Sequence, residues 1–200
     1  MVSIAGTLII AVAGTLPFQP LDGPESGSIV LNEFMSDPQA SATETEGEWI
    51  ELYNCSSDWI NLSGWKIINH SGEEIILNSY LLPPESFFVA GASGDENRNG
   101  GYAPDFIYCS FSIDDNDALT LRNRTGMIID YIDFDGTWDI IPGHSCERMN
   151  PGWVSNLASS WAHAISSFGN GDQGTPGIIN SVFQNSFAQN TWAFIKAFSS

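Results

Sequence analysis

The chain predicts an all-β fold, an antiparallel sandwich or barrel, and three observations carry that prediction. Short apolar segments recur between clusters of Gly, Pro, Asn, Asp and Ser, spaced roughly 8–15 residues apart. Several alternate apolar with polar side chains, as in Glu48-Trp49-Ile50-Glu51-Leu52 and Ala118-Leu119-Thr120-Leu121. That period of two places one face of a strand inward. No long stretch between 29 and 165 repeats at helical spacing.

The segments follow in order. IVLNEFM (29–35), EWIELYN (48–54), GWKIIN (64–69) and EEIIL (73–77) come first. SFFVAG (86–91), DFIYCSF (105–111), DALTLR (117–122) and MIIDYIDF (127–134) follow, then HSCERM (144–149) and SWAHAI (160–165). Seven to ten short strands at this spacing indicate an antiparallel sandwich or barrel. Residues 18–28 read as a Pro/Gly/Ser linker. Ahead of it, residues 1–17 hold an uncharged apolar run, 2–16, ending at Pro17. About 20 residues are needed to cross a bilayer, so a membrane span is not expected. Two readings stay open for the run. Ala11-Val12-Ala13 has the small-x-small form of an export cleavage site, although no basic residue precedes the run. The β-branched residues and the repeated AGTL at 5–8 and 13–16 suit an extended strand that a neighbour could accept. At the other end, 181–200 is an aromatic tail, in which Phe183/Phe187 and Phe194/Phe198 fit i,i+4 spacing and a terminal strand is equally open.

Charge excludes whole classes of function. Six Lys and Arg face 24 Asp and Glu, a net charge of −18, so eighteen carboxylates are in excess of the basic side chains. Phosphate neutralisation needs a basic stripe, which argues against nucleic acid and against an anionic membrane surface. Hydrophobic residues make up 42% of the chain, including seven Trp and twelve Phe, so it can build a core rather than remain disordered. With few Lys and much Ser, Asn, Gly and Thr, the composition suits an exported, acidic β protein. Cys55, Cys109 and Cys146 are an odd number, leaving open one bridge plus a free thiol or three reduced core residues. In an oxidising compartment Cys55–Cys109 is the preferred pair, since both fall in expected core strands. Asn-x-Ser/Thr sequons begin at Asn54, Asn61, Asn69 and Asn123 and would permit glycosylation.

IVLNEFMSDP (29–38) and EWIELYNCSSDWINLSGWKI (48–67) carry an Asn-Glu strand, a Glu-Leu-x-Asn strand and a Leu-Ser-Gly-Trp turn in order. FSIDDNDALTLRNRTGMIIDYIDF (111–134), GHSCERMNPG (143–152), SSWAHA (159–164) and GTPGIIN (174–180) continue the pattern. In these motifs the chain resembles the lamin tail domain family over 29–180, departing at Cys55 and Cys146, where a small polar and an aliphatic residue would be expected. The resemblance implies an immunoglobulin-like β-sandwich over 29–180 with no catalytic machinery. It also implies a structural or interaction role, most often in exported proteins. Heptads and a basic import run are missing, so the nuclear branch does not fit. Within the pattern, Gly64 allows a positive-φ turn and Trp65 enters the core, its indole N–H needing an acceptor. Pro176-Gly177 would end the last strand and turn the chain away from the sandwich.

Catalytic and ligand motifs are weak. Gly169 to Gly174 spells GxGxxG but lacks the strand and helix of a dinucleotide site. Gly143-His144-Ser145-Cys146-Glu147 has Glu147 where a nucleophile elbow has Gly, and adjacent strand residues such as His144 and Ser145 point to opposite faces. Glu33 and Glu51 could be a carboxyl pair, but hydrogen bonding to nearby backbone is the preferred reading. His70, His144 and His163 lack ligand spacing. Ca²⁺ is the least implausible ligand, at Asp95–Gly100, at Asp114, Asp115 and Asp117, or at Asp133, Asp135 and Asp139; solvated turns are preferred. The expectation is a non-enzymatic, extracellular or cell-surface module without cofactors, binding copies of itself or other surface proteins. The alternatives are an accessory domain beside a secreted nuclease or hydrolase, and a glycan binder using Trp59 and Trp138.

Overall fold

Each of the ten apolar segments contains a strand. The computed structural model describes residues 27–183, so the 1–17 run, most of the linker and residues 184–200 of the tail lie outside the described residues. In chain order the strands are β1 (Ile29–Met35), β2 (Trp49–Asn54), β3 (Ile60–Asn61), β4 (Lys66–Ile68), β5 (Glu74–Ile76) and β6 (Leu81–Leu82). Then come β7 (Phe87–Gly91), β8 (Phe106–Ile107), β9 (Asp117–Arg122), β10 (Ile128–Phe134), β11 (Cys146–Arg148) and β12 (Trp161–His163). They form a long sheet, β12-β11-β1-β2-β7-β8, a shorter sheet, β10-β9-β4-β5, and a small pair, β3-β6. All pairs are antiparallel except β7 with β8. This is an immunoglobulin-like β-sandwich.

Between the two sheets lies the main core. Phe34, Ile50, Leu52 and Phe88 of the long sheet face Trp65, Ile67, Leu119, Leu121, Ile132 and Phe134 of the shorter one and the turn before it. The Phe34 and Phe134 rings stack with centroids 4.5 Å apart. Full burial of such side chains is worth about 1.5–3 kcal/mol each, which makes this layer the main source of stability. The Leu-Ser-Gly-Trp turn forms as the residues require: Gly64 takes φ +76°, and the Trp65 amide donates to the Leu62 carbonyl at 3.0 Å. Trp65 is fully buried, but among the described residues its indole N–H finds no acceptor.

Several expectations need correction. The 105–111 segment contributes only two strand residues, because the chain runs parallel beside β7 and then leaves the sheet. Cys109 therefore sits exposed in a loop, half-buried Cys55 just follows β2, and all three cysteines are free. Burial pushes the Cys146 thiol up to about 12, so it packs as a neutral core side chain. A short helical turn, α1 (Glu44–Gly47), also escaped the pattern. Its start is a side-chain N-cap: Thr43 Oγ1 accepts from the Glu46 amide at 3.3 Å and donates to the Glu46 carboxylate at 3.1 Å. Arg98 then grips that carboxylate through two nitrogens at 2.7–2.8 Å.

The largest departure concerns the long sheet. Alternation predicts one buried face and one wet face, yet every residue of β1 is buried, as is all of β2 except half-buried Tyr53. The outer face is covered by residues 164–183, which do not turn away at Pro176-Gly177 but cross back over the sheet.

Candidate functional site

Beneath that crossing strap the sequence places three glutamates side by side. Glu33 on β1 is directly opposite Glu51 on β2 and Glu147 on β11. A bulge between Leu31 and Glu33 inserts Asn32 and resets the alternation, so that Glu33 faces outward while Phe34 still faces the core. Arg148, paired with Asp130 at 2.7 Å and also donating to the Leu31 carbonyl, fixes the bulge against β10. Glu33, Glu51 and Glu147 retain 1%, 0% and 0% exposure, so their charges are removed from water.

The strap satisfies them one by one. Glu33 accepts from the Thr175 amide at 2.8 Å, the Thr175 hydroxyl at 2.8 Å and the Ser145 hydroxyl at 2.5 Å. Glu51 accepts from the Gly177 amide at 2.6 Å and from Asn32 at 2.7 Å. Glu147 accepts from the Val182 amide at 2.9 Å and from the Ser181 hydroxyl at 2.8 Å. Asn180 closes the arrangement, donating to the Asn32 and Arg148 carbonyls and accepting from Asn32. Burial first, and the neighbouring carboxylates second, hold the Glu33 and Glu51 carboxyls well above the usual range. Glu33 and Glu51 do accept backbone amides, but from a strap more than a hundred residues away rather than from neighbouring strands. Sequence reasoning missed Glu147 as the third member and the Ser/Thr/Asn strap as their partner. The available signal was an acid within each of β1, β2 and β11.

The GxGxxG stretch is the strap's entrance. A Cβ on Gly169 would collide with the Gly100 carbonyl, and one on Gly101 with the Gly169 backbone, so glycine here serves the contact of two loops. Asp172, itself buried, accepts the Gln39 and Ala40 amides at 3.0–3.2 Å and pins the strap to the loop after β1. Farther along, Gly174 has no room for a Cβ beside Phe168 and Glu33.

Apolar surfaces flank the carboxyls. On one side Met35, Trp49, Val89 and Tyr102 form a second cluster closed by Phe168. On the other, Tyr53 and Phe87 stack at 4.8 Å and line a cavity of about 80 Å³ with Ile179 and Phe183. A wider groove of about 430 Å³ runs along the strap past Tyr102, Phe168, Pro176 and Ile178. Ile165, Ile178 and Ile179 stand 73%, 61% and 59% exposed, with Phe183 exposed beside them, giving an apolar ridge on the strap's outer side.

The other candidates have local roles. Ser145 faces Glu33 while the His144 ring contacts the Ala164 carbonyl, so the two point apart just ahead of β11. The fold does bring His144 and His163 to 6.4 Å between ring centroids, but the His163 ring contacts the Asp139 carbonyl and His70 lies elsewhere. The second and third acidic clusters meet at one shallow cavity lined by His70, Asn116, Asp117, Asp133 and Asp135. Asp117 is already engaged by the His70, Asp114 and Ala118 amides, and Asp135 by Thr137. Asp95 organises its own turn, accepting the Asn97 amide at 3.1 Å. Among the described residues no group of three His, Cys, Asp or Glu side chains is placed to hold a metal ion. No described helix is long and apolar enough to cross a membrane. Trp138 packs on Phe134 and Trp161, whereas Trp59 lies exposed between β2 and β3.

All four sequons turn out to be one backbone device. In each, the Asn side-chain oxygen accepts from the Ser or Thr two residues on, at 2.7–3.0 Å. Asn54, Asn69 and Asn123 are buried by this role, and only Asn61 stays partly exposed.

Comparison with curated proteins finds no match. The lamin tail domain model matches residues 23–136, from ahead of β1 through β10. That covers more than half of the chain, and the strands it spans form the whole of the shorter sheet and four of the six strands of the long one. The chain belongs to the lamin tail domain family, whose immunoglobulin-like fold is that of a binding and structural module.

Proposed function

We propose that this domain is a non-enzymatic, extracellular or cell-surface module that assembles head-to-tail by accepting the 1–17 segment of a neighbouring copy. The observation that carries the reading is the apolar ridge of Ile165, Ile178, Ile179 and Phe183. Exposed apolar side chains gathered on one strap of an otherwise acidic domain suit a contact site. Charge favours the occupant. Two copies at −18 repel, but the 2–16 run has no charged residue and can approach where the rest of a second copy cannot. Its β-branched composition suits an added extended segment, with main-chain hydrogen bonds giving affinity. Donor and acceptor are different surfaces, so the contact propagates as an open filament.

Deleting residues 1–17 tests it by sedimentation and electron microscopy. The truncated protein should stay monomeric, and Ile178→Asp with Ile179→Asp should block assembly of the full chain. A full chain that is monomeric at all concentrations, or a truncated chain that still polymerises, overturns the reading.

A further inference from the structure

Thr175 Oγ1 lies 2.8 Å from Glu33 Oε2 and 2.9 Å from Glu147 Oε1. A hydroxyl carries one proton and can donate to only one of those oxygens. The other contact is a hydrogen bond only if the carboxyl supplies the proton. Both oxygens belong to fully buried groups, where an unpaired carboxylate would be costly. The charge that acts on Glu33 is that of Glu147, and those that act on Glu51 are Glu33 and Glu147, all negative. We propose that Glu33, Glu51 and Glu147 form a proton-holding latch for the strap. With at least one shared proton the strap closes over the long sheet; when the proton leaves to solvent, residues 174–182 detach while the sandwich stays folded.

Other ionisable groups nearby do not replace that proton. Arg148 on β11 is occupied by Asp130 of β10, and Asp172 at the strap's entrance by the Gln39 and Ala40 amides. Cys146 on β11, Tyr53 on β2 and Tyr102 stay neutral, since burial raises all three. Residues 173–183 carry no ionisable side chain. The two like-charged neighbours are therefore the trio itself, and the strap supplies only neutral donors.

Each carboxyl has its own reporter amide: Thr175 for Glu33, Gly177 for Glu51 and Val182 for Glu147. The test is amide hydrogen exchange on the full chain from pH 6 to pH 9, corrected for intrinsic rates. Protection at the three reporters should fall about tenfold per pH unit for each proton released, while β9 amides such as Leu119 hold theirs. Infrared spectra at pH 6 should show the carbonyl stretch of a protonated carboxyl, reduced in Glu33→Gln. That variant keeps the shape of a protonated Glu33 and should flatten the pH response. Reporter protection that ignores pH, or that falls in step with β9, overturns the proposal. So does a wild-type spectrum without the protonated-carboxyl band, a result that does not depend on the variant folding.

Discussion

The long sheet buries both faces, and the two are held by different physics. On its inner face Phe34, Ile50, Leu52 and Phe88 meet the shorter sheet through apolar contacts, which are non-directional and accumulate over many atoms. Across the same strands, the outer face presents Glu33, Glu51 and Glu147 to a strap of Thr, Gly, Asn and Ser. There stability depends on a complete set of donors, since a partly satisfied polar cluster is worse than an apolar one. One sheet thus carries a tolerant surface and an exacting one, a single backbone thickness apart.

That contrast can be broken or sharpened by substitution. Phe34→Ala should have the largest effect, about 4 kcal/mol lost in chemical denaturation, because it removes the ring stacked on Phe134 and leaves a cavity. Thr175→Val keeps the shape but deletes the hydroxyl between Glu33 and Glu147, and should cost about 2 kcal/mol. An equal loss for both would show that the strap contributes as much as the core. The smallest effect is expected at the end of the sheet. Burial first, and Glu44, Asp114 and Glu73 after it, push the Glu48 carboxyl up to about 8, against the amide of Ile113 at 3.1 Å. Its folded form binds a proton that the unfolded chain releases near pH 4.3. The contribution to stability is full below that value and is lost as pH rises through 8. Glu48→Gln should therefore flatten part of the alkaline loss in denaturation midpoints while leaving the exchange of Thr175, Gly177 and Val182 unchanged.

How much of this was legible follows from which interactions are local. The bounds of β1 and β9 are legible because turn residues and length agree there, and in β9 alternation agrees as well. Two-residue strands β3 and β6 have too few positions to show a period. The helical turn at Glu44–Gly47 was visible only as Thr43 and Glu46 three residues apart. Glu33 and Glu51 drew attention as acids among apolar residues, but alternation says which face a side chain takes and not what covers that face. The cover comes from Gly- and Ser-rich residues more than a hundred positions away, and such a stretch reads as loop until its partners are known.

The four Asx turns carry a consequence for where the chain can be made. Oligosaccharide transfer acts on Asn-x-Ser/Thr while a polypeptide is still extended, before burial can protect the acceptor. In this fold Asn54 spends its amide on the carbonyls of Asp58 and Pro83 at 2.8 Å, and Asn69 and Asn123 are equally enclosed. A sugar attached to any of the three would have to leave from a buried side-chain nitrogen and would wedge the turn open. Passage through a secretory pathway that installs such sugars would trap the chain before it closed. A host lacking that modification should yield the native domain, and Asn61 alone could accept a glycan without penalty to folding.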